Sequence, residues 1–299
     1  MKYLSFLNPF EWIRATKFVK QNSKFDKSTY DLELYLYSKI LHNNMLHYGY
    51  FEDTSINCEA ISFKVFEDAQ RKYAENIIEH IVDMNNPILD VGCGTGGLSE
   101  LIYHKNSYVE SLTPNKNQID FINKNLKHLK THHCKFEQFK SNNKYKTVIN
   151  SESLQYISLN EAFEKLDEII SSNGRWIVID YFRLNDNGIN KSGHILKRFR
   201  QKLHENNWNI IYERDITLNV LPTLSFTNMF VERLLLPIKH FAYEKLRYKK
   251  PRWYYMTRNL QKSIDSKIEK ETAAINPDKF LKEKAYMFFV LEKTLPNKK

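Results

Sequence analysis

The sequence is poor in cysteine and glycine, and it contains no long apolar run. Its three cysteines, Cys58, Cys93 and Cys134, share neither the spacing of metal ligands nor an even-numbered disulfide framework. We therefore expect reduced thiols in a cytoplasmic protein. A transmembrane helix needs about 20 consecutive apolar residues, and no stretch predicts one. Polar and charged residues interrupt positions 1–24, so a secretory signal is not expected there.

Lys and Arg outnumber Asp and Glu by 45 to 35, which gives a formal net charge of +10. A positive excess favours anionic partners, and nucleic acid, an acidic substrate and an anionic membrane surface all satisfy it. The length suffices to bury a full core, as one domain with a large insertion or as two modest domains. The three cysteines and ten histidines do not combine into a Cys-Cys-His-His pattern with zinc-ligand spacing, so no metal is expected.

Four of the eight glycines lie within residues 92–97, directly after the apolar segment Ile88–Val91. This segment places Asp90 just before the pattern Gly-x-Gly-x-Gly. Alternating glycines at the end of a strand serve three purposes: a tight turn, close approach of the backbone to a ligand, and close packing of helix on strand. The pattern predicts the first turn of a doubly wound α/β domain.

From Pro87 onward, short apolar strands alternate with helices, as is typical of a parallel sheet. The predicted strands are Ile88–Val91, Ser107–Leu112, Cys134–Phe136, Thr147–Asn150, Arg175–Tyr181, Trp208–Glu213 and Tyr286–Glu292. The predicted helices lie near 97–105, 115–128, 160–171 and 191–206. About seventy residues separate the last two strands, which is too many for a simple connection. Residues 215–284 are therefore predicted to form a helical cap with a basic and aromatic strip.

Three helices are predicted before the sheet. The first begins at Asn8 and Pro9, which suit a helix N-terminus. It mixes bulky apolar and basic side chains, and both packing on the domain and lying on a membrane surface fit that mixture. Amphipathic patterns predict two further helices, at residues 30–42 and 63–82.

The segment around Asp90–Gly97 resembles motif I of the class I S-adenosylmethionine methyltransferases. Upstream, Tyr30-Asp31 and His47–Asp53 resemble the lid of a group that includes the tocopherol, sterol, coclaurine and phosphoethanolamine methyltransferases and the cyclopropane fatty acid synthases. The resemblance extends over roughly residues 30–292. It implies an α/β Rossmann-like seven-stranded methyltransferase sheet, with an N-terminal helical lid and a helical cap between strands six and seven.

This resemblance divides the chain into four parts. Residues 1–84 form the N-terminal helices and lid, and residues 85–214 form the core that binds the cofactor. Residues 215–284 form the substrate cap, and residues 285–299 add the final core strand and the tail. The implied cofactor is S-adenosylmethionine.

The resemblance also implies which residues bind the cofactor. Thr113 with Gln118 replaces the usual acidic ribose ligand, and Glu110 is an alternative that strand alternation turns to the other face. Either Glu137 or Gln138 contacts the adenine, and Gln138 is chosen. The full implied set is Tyr30, His47, Tyr48, Asp90, Gly92, Gly94, Gly96, Thr113, Gln118, Gln138, Asn150 and Ser151.

Methyl transfer has no obligatory catalytic signature, so candidates are chosen by their place at the sheet edge or in the lid. Glu152 follows strand four and can act as a base or orient an acceptor. Tyr48 and Tyr156 can contact the sulfonium or the substrate. Tyr181 and His194 follow strand five and are weaker candidates.

The sequence therefore predicts an enzyme that transfers a methyl group to a small, amphiphilic or lipid-like acceptor, at carbon, nitrogen or oxygen. Peripheral contact of the basic cap with a membrane is a further expectation. Methylation of RNA or protein is the alternative that the net charge supports, although no Asn-Pro-Pro-Tyr loop follows strand four. A catalytically inactive binding protein with the same fold is the third alternative.

Overall fold

The computed structural model describes residues 9–22, 40–41, 43–105, 108–186 and 192–293. Within this part of the chain, seven strands form one sheet in the order β3-β2-β1-β4-β5-β7-β6. The strands are β1 Ile88–Val91, β2 Val109–Thr113, β3 Lys130–His133, β4 Tyr145–Ser151, β5 Ile170–Arg183, β6 Trp208–Asp215 and β7 Lys284–Lys293. Strands β1 to β5 pair in parallel, and β7 runs antiparallel to β5 and β6. The predicted fold class is confirmed.

Helices precede the sheet, cover its faces and build the insertion before β7. They are α1 Pro9–Asn22, α2 Phe63–Ile78, α3 Gly97–Tyr103, α4 Lys116–Asn125, α5 Leu159–Ile169, α6 Leu196–Glu205, α7 Thr217–Phe230, α8 Leu236–Lys249, α9 Pro251–Met256, α10 Arg258–Ala274 and α11 Pro277–Glu283. A π-helical turn, Val231–Leu235, joins α7 to α8. Helices α7 to α11 thus occupy the predicted cap.

Alternation along the central strands builds a separate apolar core on each face of the sheet. On β5, Ile177 and Ile179 contribute to one core, while Trp176 and Val178 contribute to the other. All four side chains are buried. Since successive side chains of a strand point to opposite faces, a strand covered on both faces is largely apolar along its whole length.

The third strand was predicted at the wrong place. The prediction was Cys134–Phe136, whereas β3 is Lys130–His133 and a short 3-10 turn, Phe136–Gln138, follows it. Strand β3 lies at the edge of the sheet, so it needs no continuous apolar run. Its polar side chains contact a buried carboxylate instead: Lys130 Nζ and His132 Nε2 lie 2.9 and 2.7 Å from the carboxylate oxygens of Glu110.

Helix α1 begins at Pro9 as predicted, but its large apolar side chains are not packed into the core. Phe10, Trp12, Ile13 and Phe18 are all more than half exposed. The predicted helix over residues 30–42 lies almost wholly outside the described residues.

No helix in the described segments combines the length and the apolar character that crossing a bilayer requires.

Candidate active site

A cavity of about 630 Å³ lies at the edge of the sheet where β1, β2 and β4 end. Its volume falls within the range of about 300–1,000 Å³ that is typical of small-ligand sites. Because parallel strands end at the same edge, residues distant in sequence meet there. The predicted site residues that line this cavity are His47, Asp90, Gly92, Gly94, Thr113, Gln118, Ser151, Glu152 and Tyr156.

The glycine loop adopts a backbone that most side chains could not. Gly92 has a φ of +76°, and a Cβ added there would lie 2.4 Å from the Cβ of Ser153. Gly94 has a φ of +56° and lines the cavity beside Leu46. These glycines provide a turn and an open backbone for close approach of a ligand.

Gly96 has a different role from the other two glycines. Its φ is +90°, and an added Cβ would lie 3.0 Å from Leu126 and 3.3 Å from Ile122. It is not part of the cavity lining. Gly96 therefore serves close packing at the start of α3.

Asp90 is buried at the end of β1 and belongs to a hydroxyl chain. Ser99 Oγ donates to Asp90 Oδ2 at 2.6 Å, and Ser111 Oγ donates to Ser99 Oγ at 2.7 Å. Burial raises the pKa of Asp90 to about 6, although the Ser99 hydrogen bond opposes the increase. Ser111, where the resembled family usually has glycine, thus completes the support of this carboxylate.

The structure brings together the two residues predicted for the ribose site. Thr113 Oγ1 donates to Gln118 Oε1 at 2.6 Å, and both residues line the cavity. Glu110 lies elsewhere and accepts hydrogen bonds from β3 and from the Tyr145 hydroxyl. Both carboxylate oxygens of Glu110 thus accept hydrogen bonds at the edge of the sheet.

At the position predicted for adenine contact, Glu137 lines the cavity together with Phe136, and Gln138 does not. The 3-10 turn accounts for the difference, since it changes the orientation expected of a strand. The residue that lines the cavity is therefore Glu137, whereas the sequence analysis chose Gln138 for the adenine contact.

The lining segment 44–47 depends on a buried glutamine of α2. Gln70 is 1% exposed, and its Nε2 donates to the carbonyl oxygens of Met45 and His47 at 3.1 and 2.7 Å. Asn43 Nδ2 donates to Gln70 Oε1 at 2.9 Å. This role could not be predicted from the sequence, because Gln70 stands beside the apolar stripe of an amphipathic helix.

His47 is neutral and presents an unsatisfied acceptor. Its Nδ1 donates to the Tyr48 carbonyl at 2.8 Å, which leaves Nε2 without a proton. Among the described residues Nε2 has no hydrogen-bond partner, and it is buried. Burial lowers the pKa of His47 to about 4. A ligand that donates a hydrogen bond would satisfy this atom.

The lid segment that follows His47 is fixed between α2 and the cap. Gly49 N–H donates to Thr223 Oγ1 at 3.0 Å, and Phe51 N–H donates to the Asn219 carbonyl at 2.9 Å. A Cβ on Gly49 would lie 2.8 Å from Ala69 Cβ, so only glycine fits between the segment and α2. The cap therefore helps to position the lid over the cavity.

The carboxylate of Glu152 accepts hydrogen bonds from polar groups of the lid and of β7. Glu152 follows β4 with a φ of +52°, an uncommon conformation for a residue with a side chain. Tyr48 N–H donates to its Oε1 at 2.8 Å, and the Tyr286 hydroxyl donates to the same oxygen. Burial raises the pKa of Glu152 to about 7, while the two hydrogen bonds oppose the increase.

A chain of hydroxyl groups leads to Glu152. Ser151 Oγ donates to the Tyr73 hydroxyl at 3.3 Å, and the Tyr73 and Tyr286 hydroxyls lie 3.0 Å apart. Since Tyr286 donates to Glu152, Tyr73 donates to Tyr286. All donors then point toward an ionised carboxylate, which is the arrangement that stabilises its charge.

Sequence reasoning missed Tyr73 and Tyr286. Both lie on apolar faces, Tyr73 on α2 and Tyr286 on β7, and both were assigned to the core. Buried tyrosine hydroxyls need hydrogen-bond partners, and this requirement is the signal that could have identified them.

Two further predicted site residues, Tyr48 and Asn150, take other places. The Tyr48 ring lies 5.5 Å from the Tyr286 ring, and Tyr48 is not in the cavity lining. Asn150 is buried beneath the site, where its Oδ1 accepts from Trp176 Nε1 at 2.8 Å. Tyr30 lies outside the described residues.

The two weaker candidates, Tyr181 within β5 and His194 after it, are not in the lining. His194 Nε2 lies 2.9 Å from the carbonyl oxygens of Leu154 and Ile157, so it donates to the turn that carries Tyr156. Nearby, Asp180 accepts from the Gln155 N–H at 3.0 Å, and burial raises its pKa to about 8. These contacts give the turn a rigid base.

Away from the cavity, the described residues include one group that could hold a metal ion: Glu100, His104 and His128. Their ligand atoms lie within 4.8 Å of one another. The fold brings His128 to the helix, so no sequence spacing announced the group. Exposed groups of this kind are common without an ion, and no second feature of the surroundings points to one.

Comparison with protein families finds a match between residues 88–174 and the model described as a methyltransferase domain. Among curated proteins, the ribosomal RNA small subunit methyltransferase A of Mesomycoplasma hyopneumoniae (strain 232) is 36% identical over 111 residues. That match covers 33% of this chain and 42% of the relative, so the chain spans about two-fifths of that protein's length.

Solved structures with the same fold align over most of the chain. The 4+2 cyclase SpnF has a TM-score of 0.65 at 14% identity and covers 90% of this chain and 94% of its own. Geranyl diphosphate C-methyltransferase from Streptomyces coelicolor A3(2), solved with Mg²⁺, geranyl-S-thiolodiphosphate and S-adenosyl-L-homocysteine, gives 0.59 at 15%, with coverage of 91% and 95%. The cyclopropane synthase MmaA2 from Mycobacterium tuberculosis gives 0.61 at 12%, with coverage of 89% and 95%. At these identities the similarity establishes the fold alone.

Proposed function

Because residues 88–174 form a methyltransferase domain, we propose that this chain transfers a methyl group from S-adenosylmethionine to a small amphiphilic acceptor. One observation carries the proposal: the glycine loop and the half-buried carboxylate of Glu152 line the same cavity. S-adenosylmethionine supplies an electrophilic methyl group. The protein supplies binding, orientation, exclusion of water and a place for a proton.

The residues around the cavity suit this cofactor. The open backbone at Gly92 and Gly94 accommodates its methionine part, and Thr113 with Gln118 offers polar groups to the ribose hydroxyls. Glu137 takes the position beside the adenine. The buried Nε2 of His47, which has no partner among the described residues, accepts a hydrogen bond from a donor of the bound ligand.

Glu152 is assigned as the general base for an acceptor that loses a proton. Both described donors reach its Oε1, which leaves Oε2 to receive that proton. The Tyr48 N–H and the Tyr286 hydroxyl keep the carboxylate in place, so Tyr48 is a positioning residue through its main chain. Tyr156, which lines the cavity, contacts the acceptor.

An amphiphilic acceptor fits the mixed lining of the cavity, where Met45, Leu46 and Ile157 lie beside the polar residues. Two proteins with the same fold are named for a geranyl diphosphate and a cyclopropane reaction, which agrees with a lipid-like compound. Contact with an anionic membrane would bring such compounds to the cavity. The fold alone does not choose the reaction, since SpnF is named as a cyclase.

Methylation of RNA is the second candidate, because the curated relative is a ribosomal RNA methyltransferase and the net charge is +10. Against it, β4 ends in Asn150-Ser151-Glu152-Ser153 rather than in a loop of the base-methylating type. Glu152 would place a buried anion where a nucleic acid substrate would need to approach.

Incubation with methyl-labelled S-adenosylmethionine and separated cell extracts tests the proposal. We expect the label in the organic phase, in a compound of low molecular mass. Label confined to RNA would replace the first function by the second, and label confined to protein would also reject the small-molecule assignment. Absence of label from every fraction, with cofactor binding retained, would indicate the inactive binding protein.

The rate should depend on pH through Glu152. A general base must be ionised, and burial raises the pKa of Glu152 to about 7. We therefore expect kcat to increase as pH rises through about 7 and then to level off. Transfer rates at saturating substrates, measured across this range, check the expectation. A profile that is flat from pH 5 to pH 9, or that falls as pH rises, would contradict the assignment.

A further inference from the structure

One face of the cap exposes an apolar stripe to solvent. Leu234, Ile238, Phe241 and Tyr248 recur at spacings of four, three and seven residues, which places them on one side of the continuous helix through α8. Their exposed fractions are 53%, 56%, 63% and 89%. These four residues are called the α8 stripe below.

The other side of α8 is the one that packs against the protein. Lys239 Nζ lies 2.8 Å from Asp265 Oδ1 on α10, and the Tyr243 hydroxyl contacts the Gln261 carbonyl on the same helix. The inward side of the helix thus makes these polar contacts and also carries the partly exposed Leu236 and Leu246. The four apolar residues of the opposite side face solvent.

Helices α9 and α10 also expose large apolar side chains to solvent. Tyr255, Met256 and Leu260 are each at least 60% exposed. Contiguous exposed apolar side chains on a folded protein are typical of a surface that binds another molecule.

Cations lie among these apolar side chains. Lys245 Nζ is 5.3 Å from the Phe241 ring, and the Arg258 guanidinium is 4.4 Å from the Tyr255 ring. Residues 231–274 contain eleven Lys and Arg but only five Asp and Glu. Apolar groups interleaved with cations are typical of helices that lie in the interface of an anionic bilayer.

We propose that the α8 stripe, with the basic residues beside it, docks the protein on an anionic membrane surface. Leu234 and Ile238 enter the boundary between headgroups and acyl chains, and Lys245 and Arg258 meet the lipid phosphates. The proposal does not depend on the methyl-transfer reaction.

Two other occupants fit these features less well. A second copy of the chain would bring two surfaces of the same strong charge together, which opposes association. Nucleic acid would use the cations and the aromatic rings, but it offers no apolar phase for Leu234 and Ile238. A bilayer interface satisfies the charges and the aliphatic side chains together.

Flotation with vesicles tests the docking surface. The full chain should float with phosphatidylcholine vesicles that contain phosphatidylglycerol at low ionic strength. Binding should weaken as salt approaches about 1 M, where the screening length falls to about 3 Å. Pure phosphatidylcholine vesicles should bind much less. Failure to bind the anionic vesicles at low salt would overturn the proposal.

A pair of variants separates the stripe from general stickiness. Ile238→Ser with Phe241→Ser should lower the affinity for anionic vesicles by about tenfold or more, because two inserted side chains are lost. Leu218→Ser, which changes a side chain of α7 that is 57% exposed, should bind as the parent does. An unchanged affinity for S-adenosylmethionine shows that the variants are folded. If the parent chain does not bind S-adenosylmethionine, an unchanged melting temperature serves the same purpose.

The remaining outcomes are also decisive. If the stripe variant binds vesicles as well as the parent does, the stripe is not the docking surface. If sedimentation instead reveals a dimer that the stripe variant abolishes, the occupant is a second copy. Retention of the parent chain by RNA with no binding to vesicles would likewise reject the membrane.

Discussion

Replacement of Glu152 by Gln should lower kcat by about 10²–10⁴-fold, the usual contribution of a general base. The amide has nearly the same shape as the carboxylate but cannot accept a proton from the substrate. It can still accept hydrogen bonds from the Tyr48 N–H and the Tyr286 hydroxyl, which both reach Oε1. The fold and the cofactor site should therefore persist.

The measurements for this variant are transfer of labelled methyl to the organic fraction and calorimetric affinity for S-adenosylmethionine. We expect the first to fall and the second to remain. Glu164→Gln is the matched control, since Glu164 is exposed on α5 and lies outside the cavity lining. A Glu152→Gln variant with full kcat would eliminate the base assignment while leaving the cofactor site intact.

Tyr286→Phe probes the same carboxylate from its other side. Removing the hydroxyl withdraws one of the hydrogen bonds that oppose the effect of burial on Glu152. The pH at which the rate is half-maximal should therefore move upward, since the ionised form becomes harder to reach. A lower kcat with no movement of the profile would indicate that the hydroxyl serves packing alone.

Gly92→Val should reduce affinity for S-adenosylmethionine by about a hundredfold or more. The added Cβ would lie 2.4 Å from Ser153 Cβ, and the φ of +76° is strained for a β-branched residue. The loop must move, and a displacement of about 1 Å in a binding site can cost this much. Calorimetric titration of the purified variant measures the loss.

Gly94→Val provides the comparison. A Cβ at Gly94 would lie 3.4 Å from Leu46, an ordinary contact, although its φ of +56° is also left-handed. We expect a loss of affinity here as well, because the backbone is strained and the valine side chain enters the cavity from which the cofactor approaches. If the Gly92→Val variant does not fold, the affinity of Gly92→Ala is measured in its place. Equal affinities of Gly92→Ala and the parent would show that the loop does not approach the cofactor.

The sequence predicted the sheet well where burial dictates residue type. Strand β1 was predicted with its observed bounds, because a strand covered on both faces is largely apolar, as Ile88, Leu89 and Val91 are. Strand β3 was misplaced, because an edge strand can be polar when its side chains find partners. The partner of these polar side chains is the carboxylate of Glu110 on β2. Only the pairing of β2 with β3 brings the side chains and the carboxylate together.

Within the candidate site, local motifs were predictable and convergent contacts were not. The glycine loop and the pair Thr113 and Gln118 are short patterns, and the structure places them in one lining. Gln70, Tyr73 and Tyr286 are far apart in sequence and stand on faces that are apolar in pattern. In the folded chain, Gln70 reaches the lining segment 44–47, and the Tyr73 hydroxyl on α2 meets the Tyr286 hydroxyl on β7.

The sequence by itself determined the α/β class, the glycine loop and the existence of a cap, because each depends on residue type at fixed local spacing. The tertiary structure decided that Glu137 rather than Gln138 lines the cavity, that Glu152 ends a hydroxyl chain, and that the cap turns its apolar stripe outward. These outcomes depend on which surfaces meet in the folded chain. Local periodicity shows that a helix has an apolar face, but only the packing of its neighbours decides whether that face is covered.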